Sequence, residues 1–346
     1  MKKTLVAIAA GFTLICGCTK NSAPEKTLNL AIWSNYLSPE TLTEFKNQTG
    51  ITVQVSNYSS NEELLAKLQA GASGYDVVVP SDYMVYTMIK LGLLKELDRA
   101  RIPNAKFLGA KYLKKNYDPI NKFSLPYDWG TTGIAFNPDL TKVQIKSWKD
   151  LFTKPELAGK FSLLDDARET IGAALKAQGF SLNSKNEVEL QKAKAYLLQA
   201  RPRVKSFTSE PMTPLSTGET PVAHVYMSDA LQARRQTQGR IQYILPEEGG
   251  TFWLDNLVIP STAAHITEAH RFINFLLEGK TNAATVMNVF VAPANTSALA
   301  LLPKELISDR ALFPTDAMLA KCEMIEDLGE TLAVWDRIWT EVKAEQ

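Results

Sequence analysis

The sequence predicts an α/β protein built as two lobes. Short apolar strands alternate with amphipathic helices along the chain, the pattern of α/β units rather than of a helical bundle or a sandwich. Its 346 residues are long for one domain and comfortable for two. Pro126 to Asn137 reads as an extended segment softened by Gly130 and Gly133, able to carry the chain from one lobe into the other.

The leader comes first. Lys2 and Lys3 make a basic start, and Leu5 to Cys16 is an apolar run too short to span a bilayer as a helix. The run closes on Ile15-Cys16-Gly17-Cys18, a small residue just before a cysteine. This is the pattern of a bacterial lipoprotein signal over residues 1–17, cut before Cys18, whose thiol then carries lipid and anchors the protein to a membrane. A plain secretory signal cut near Ala23 is the alternative. Thr19 follows the cysteine, so the Asp that commonly retains lipoproteins in the inner membrane is absent. Residues 18–26 form a tether, and the expected location is the periplasm or cell envelope.

Leu28 to Ile32 predicts the first strand and delivers Trp33-Ser34-Asn35-Tyr36 at its end. Ser38-Pro39 starts a helix that stops at Gly50, and Ile51 to Val55 is the next strand. Ser60 to Glu63 is a capping box before Leu64, Leu65 and Leu68 at helical spacing. Tyr75 to Pro80 is a buried strand that breaks into Ser81-Asp82-Tyr83-Met84, a helix start. Ligands of open α/β sheets lie beyond the carboxyl ends of strands, so Trp33, Ser34, Ser81, Asp82 and Tyr83 share one rim.

Further on, Ser147 caps a helix whose Trp148 is assigned to the core, and Phe161 to Leu164 is a strand ending in Asp165-Asp166-Ala167-Arg168-Glu169. Helical periodicity over 173–197 is interrupted near Gly179 and Asn183. Val222 to Met227 is a strand running into Ser228-Asp229-Ala230. Glu248-Gly249-Gly250-Thr251-Phe252-Trp253-Leu254-Asp255 follows, with Gly249 and Gly250 where a second strand crosses between lobes. Strand alternation points Trp253 and Asp255 the same way. A carboxylate beside an indole suits an organic cation; the alternative is an Asp hydrogen-bonded to a loop at a strand end. Thr267 to Leu277 is helical, 290–295 an irregular loop, and 316–343 mostly helical.

Several functions are excluded by what is missing. Without Lys2 and Lys3, 36 basic residues face 37 acidic ones, which argues against a nucleic-acid binder. Cys322 is the one cysteine outside the leader region, so no disulfide forms within the folded chain. No phosphate loop, dinucleotide fingerprint or nucleophile elbow occurs. His265 and His270, five apart, do not share a helical face as a zinc pair does, and His224 sits alone in a strand. Neither a cofactor nor a metal is expected.

The residues that follow strands, collected with Trp129 of the extended segment, are aromatic and acidic: Trp33, Ser34, Ser81, Tyr83, Trp129, Asp166, Glu169, Tyr226, Asp229, Trp253 and Asp255. Carboxylates pair with ammonium groups, and aromatic faces add cation–π attraction and cover for methylenes. Acids spaced along a slot between lobes suit a linear polyamine.

On Trp33-Ser34, Val79-Pro80-Ser81, Pro126-Tyr127-Asp128-Trp129-Gly130, Asp165 to Glu169 and Glu248 to Asp255, in that order, the chain resembles the spermidine/putrescine-binding proteins of bacterial ABC transporters along nearly its whole mature length. The resemblance implies a type II periplasmic-binding-protein fold, with two α/β lobes that close by a hinge on a ligand in the cleft. It implies a monomeric receptor, not an enzyme, that delivers its ligand to a membrane permease. The lobes are expected at 27–132 with 256–298, and at 133–255 with 299–346. Asp255 is expected to hold an amino or imino group, with Glu169 facing it from the other lobe. Asp229 matches an acid of putrescine-preferring members. The chain departs from the pattern at Asn35 (commonly an acid), Val291 (a tyrosine), Ile325 (often a glutamine in spermidine binders) and Tyr226 (usually a tryptophan). Fewer polar groups at the far end of the slot favour putrescine over spermidine. The competing functions are a receptor for another small organic cation and a secreted hydrolase using two of the acids.

Overall fold

The computed structural model describes residues 26–71 and 74–344. The expected leader, lipidated Cys18 and nearly all of the tether lie outside those residues. Ten strands are described: β1 (Lys26–Trp33), β2 (Ile51–Tyr58), β3 (Val77–Val78), β4 (Ser124–Phe136), β5 (Phe161–Leu164), β6 (Val204–Thr208), β7 (Val222–Tyr226), β8 (Gln242–Ile244), β9 (Phe252–Val258) and β10 (Ala292–Pro293). Their order is β2-β1-β3-β9-β4-β7-β5-β6, with β8 and β10 added to β4.

β4 is the shared member. Its first part, through Thr131, pairs antiparallel with β9, and its last part, Thr132 to Phe136, pairs with β7 and β8. The first lobe therefore has β1 parallel to β2 and β3, closed by antiparallel β9 and β4. The second has β5 parallel to β6 and β7 beside the end of β4. Every residue of β4 is buried, as expected of a strand covered on both faces.

Where β4 changes sheets, the chain comes back beside it. Thr132 N donates to Thr251 O at 2.9 Å. A Cβ on Gly250 would lie 2.2 Å from Thr132 O, and Gly249, at φ +84°, leaves only 2.0 Å to Lys321 O. Side chains at either position would separate the crossing segments, so the glycine pair is required by close approach and, at Gly249, by backbone conformation.

The local signals behave as the residues dictate. Ser38 caps the helix Pro39–Thr49, and Gly50 ends it at φ 70°. Ser60 caps Asn61–Gln69, while the Glu63 carboxylate reaches back to Ser59. Trp148 is core, its indole donating to Gly249 O at 2.7 Å. His224 is fully buried edge-on against Trp148, and burial holds its pKa down at about 3, so the ring is neutral.

Three expectations change. Helix over 316–343 is limited to Asp316–Leu319 and Leu332–Ala344, because the segment between them straps onto the start of β9. There Glu323 N donates to Gly250 O and Phe252 N to Glu323 O. The loop 290–295 includes the short strand β10. A lobe boundary at residue 255 falls inside β9, and all of β9 pairs in the first sheet. Trp253 and Asp255 accordingly stand beside Ser81, which bridges Asp255 directly, and not across the cleft from it.

Candidate functional site

Four strands of the two lobes end at one cavity. β1 ends in Trp33, and β3 leads through Pro80 to Ser81 at the start of the helix Asp82–Lys90. β5 leads to Asp166 at the start of the helix Ala167–Lys176, and β7 ends in Tyr226 before the helix Met227–Gln236. The cavity, about 840 Å³ including its open mouth, is lined by Trp33, Ser34, Ser81, Tyr83, Asp166, Glu169, Tyr226, Asp229, Trp253 and Asp255. Six of its lining residues are acidic and none is basic.

Trp129, the remaining expected member, is elsewhere. Its indole donates to Pro293 O at 3.2 Å and packs against Phe252, Tyr112 and Phe313. Alternation along β4 turns the next residue, Gly130, toward Trp253, its partner in register. A Cβ on Gly130 would sit 2.3 Å from the Trp253 ring. The contribution of this stretch to the site is an absent side chain.

The cavity also takes Tyr36, Tyr58, Ser59, Asn61, Asp82, Ser209, Glu210, Ser228, Thr251 and Ile325. Thr251 shares a strand face with Trp253 and Asp255, and Ser209-Glu210 follows β6, so alternation and the strand-end rule reach both. Tyr36 lies within the Trp33 stretch. Tyr58 ends β2, so the same rule reaches it, whereas Asn61 carries no comparable signal.

On the first-lobe wall, Ser81 occupies a helix N-cap position yet its hydroxyl caps nothing. It donates instead to Asp255 Oδ1 at 2.7 Å. A serine diverted from capping forgoes about 0.5–2 kcal/mol of helix stabilisation, which points to a role in the cavity. Burial pushes the Asp255 carboxyl up to about 6, against the lowering effect of Tyr36 and Ser81. The Tyr36 hydroxyl stands close enough to Asp255 to act on it but lacks the geometry of a full hydrogen bond, and is left buried without a partner. Asp82 accepts from Tyr83 N and Leu254 N, and its burial raises its pKa well above the carboxylate range. Trp33 stacks obliquely on Tyr58 at 4.6 Å.

On the second-lobe wall, Asp166 caps its helix, accepting from Arg168 N at 2.8 Å and Glu169 N at 3.0 Å, with the Tyr226 hydroxyl at 3.5 Å. Glu169 accepts from Thr132 Oγ1 at 2.9 Å and Thr251 Oγ1 at 2.7 Å, one from each crossing segment. Burial, then the neighbouring Asp166, pushes Glu169 up to about 8. Burial, then Glu210, pushes Asp229 up to about 7. Carboxyls gathered in an uncharged surround resist ionisation until a cation joins them. Such a cavity can hold a flexible molecule with ammonium groups on apolar carbons.

No group of three or more His, Cys, Asp or Glu among the described residues is placed to hold a metal ion. No helix among them is long and apolar enough to cross a membrane.

The bacterial extracellular solute-binding protein family matches residues 40–315. A spermidine/putrescine-binding periplasmic protein of Haemophilus influenzae is 37% identical over 93% of this chain and 90% of its own. A putrescine/cadaverine-binding protein of Pseudomonas aeruginosa is 34% identical over 99% of both chains. Among solved structures, one from Listeria monocytogenes described as a spermidine/putrescine ABC transporter superposes with a TM-score of 0.88 at 34% identity, covering 93% of this chain and 100% of that one.

Proposed function

The chain belongs to the bacterial extracellular solute-binding proteins, and from that premise we propose that it captures a linear polyamine and delivers it to an ABC importer. The observation that carries this is the cavity itself: six acids, four tyrosines, two tryptophans and no base, enclosed between two lobes. A hydrolase needs a reacting bond and a water. A receptor needs only this grip, and no bond is made or broken.

The ligand bridges the lobes, with Asp255 on the first wall taking one ammonium and the acids around Glu169 and Asp229 taking the other. Trp33, Trp253, Tyr83 and Tyr226 cover the methylenes, and Ser34 and Ser81 complete the polar contacts. Ligand drives closure only by binding the closed form more tightly than the open one, and the closed form is what a permease recognises. We assign the lobe boundaries to the two crossings, near Thr132 on β4 and just before β9 at Thr251.

Putrescine is the proposed preference. Asp229 lines the cavity, and Ile325, also lining it, offers a third ammonium no polar group. Calorimetry of the purified protein with putrescine, cadaverine, spermidine and spermine tests this. Tightest binding of putrescine is expected; tighter spermidine reverses the preference, and no heat with any of the four rejects the polyamine function.

The receptor works as a monomer held in the cell envelope by lipid on Cys18. C18A is expected to release it from the membrane fraction; persistence there overturns the anchor.

A further inference from the structure

Arg168 is a buried cation beside the cavity that makes no direct ion pair with any acid among the described residues. Within its own lobe it is firmly held. Nη1 donates to Glu326 O at 2.9 Å and Nη2 to Asn183 Oδ1 at 3.0 Å, while the guanidinium lies 4.9 Å from the Trp335 ring centre. These bonds fix the plane of the side chain and leave Nε buried with no partner.

The guanidinium also crosses the cleft. It lies 5.7 Å from the centre of the Tyr83 ring, which belongs to the first lobe. That ring is itself pinned: its hydroxyl donates to Glu62 Oε1 at 3.0 Å and accepts from Asn61 Nδ2 at 3.1 Å. Glu62 stands within electrostatic reach of Asp166, two like charges, and Arg168 is in reach of both. Another charged contact between these regions, Lys90 with Asp327 at 3.7 Å, joins an exposed lysine to a partly exposed acid and contributes little.

We propose that Arg168 is a closing residue: by seating its buried guanidinium on Tyr83 of the facing lobe, it biases the ligand-free receptor toward the closed form. A receptor whose binding-competent state is only partly populated loses apparent affinity by that fraction. A contact made without ligand raises the fraction, and a desolvated cation–π contact is strong enough to matter. The Tyr83 ring then serves two purposes, since its other surroundings are the ligand cavity. This rests on the receptor function proposed above only for its effect on affinity.

Small-angle scattering of the ligand-free protein reads the closed fraction directly. R168Q and Y83L are each expected to open the ligand-free form, and the double variant to open no further than either alone. R168K, which keeps a cation over the ring, is expected to recover most of the closed fraction. In calorimetry, R168Q is expected to weaken putrescine binding about threefold to tenfold. A ligand-free R168Q as closed as wild type overturns the proposal, as does a double variant that opens by the sum of the two. R168K no more closed than R168Q overturns it too, assigning the effect to the lost bonds with Glu326 and Asn183. If R168Q does not fold, Y83L and R168K carry the test. Because scattering uses no ligand, a wild type that binds no amine rejects the polyamine function and leaves this outcome readable.

Discussion

The first-lobe wall of the cavity presents Asp255 and the second-lobe wall presents Glu169, and the two carboxyls are held in different ways. Asp255 takes a single side-chain hydrogen bond among the described residues, from Ser81. Glu169 has both oxygens occupied, by Thr132 and Thr251. Burial acts on both, yet Asp255 rises only to about 6 while Glu169 reaches about 8, because Asp166 adds to the burial there. At neutral pH Asp255 is mostly ionised and under-bonded, and Glu169 is mostly protonated and bonded to both crossing segments. In the proposed receptor an arriving cation is drawn first to Asp255, and closure then recruits the acids of the second wall.

Removing the first of these carboxyls is expected to have the largest effect. D255A should weaken putrescine about tenfold to a hundredfold, from about 1.5–3 kcal/mol for a charge-assisted hydrogen bond, read by calorimetry. Equal binding by wild type and variant removes Asp255 from the site. Next is the space that positions its neighbour. G130A places a methyl against the Trp253 ring, and overpacking of about 1–3 kcal/mol should lower the melting temperature and weaken binding together. A variant of unchanged stability and affinity shows that the indole has room to move. E169Q should cost less, about threefold in affinity, because a group already protonated loses little charge on becoming an amide. A loss as large as that of D255A erases the distinction between the walls.

How far this was legible in the sequence differs between the walls as well. Strand ends after apolar runs placed Trp33, Ser81, Asp166 and Tyr226 correctly on one cavity, because the strand-end rule depends only on local pattern. Trp129 escaped it: a bulge between Pro126 and Trp129 shifts the register, and alternation then turns Gly130 toward Trp253. A glycine valued for what it lacks has no positive signal. The position of β9 was equally hidden. Nothing within residues 252–258 states which lobe they join; that follows from Val78 pairing with Val258 and Ser81 bridging Asp255, contacts across more than 170 residues. Ile325 reaches the cavity on an irregular strap, held by the Thr251–Glu323 bridge, where no periodicity exists to read.

The unequal walls also predict proton movement, the smallest effect and the most discriminating one. Ammonium groups favour ionised carboxyls, so the bound site has lower pKa values than the empty one, and binding expels protons between the two sets. With Glu169 at about 8 and Asp229 at about 7 in the empty cavity, binding at pH 7 should release a fraction of a proton or more. Affinity should accordingly rise from pH 6 to pH 8 and then level, since ligand amines near the lysine value of about 10.4 stay charged throughout. Folding stability of the empty protein runs the other way. These acids have folded pKa values above their unfolded ones, so the native state binds more protons, and its stability falls as pH rises from about 4 to about 8. Saturating putrescine should cancel that fall, so the ligand-induced rise in melting temperature should be larger at pH 8 than at pH 6. Calorimetry in buffers of different ionisation enthalpy counts the protons. E169Q should remove the release attributable to Glu169 near pH 8 and leave those from Asp229 near pH 7 and Asp255 near pH 6. Release near pH 8 unchanged in E169Q would place that titrating group elsewhere.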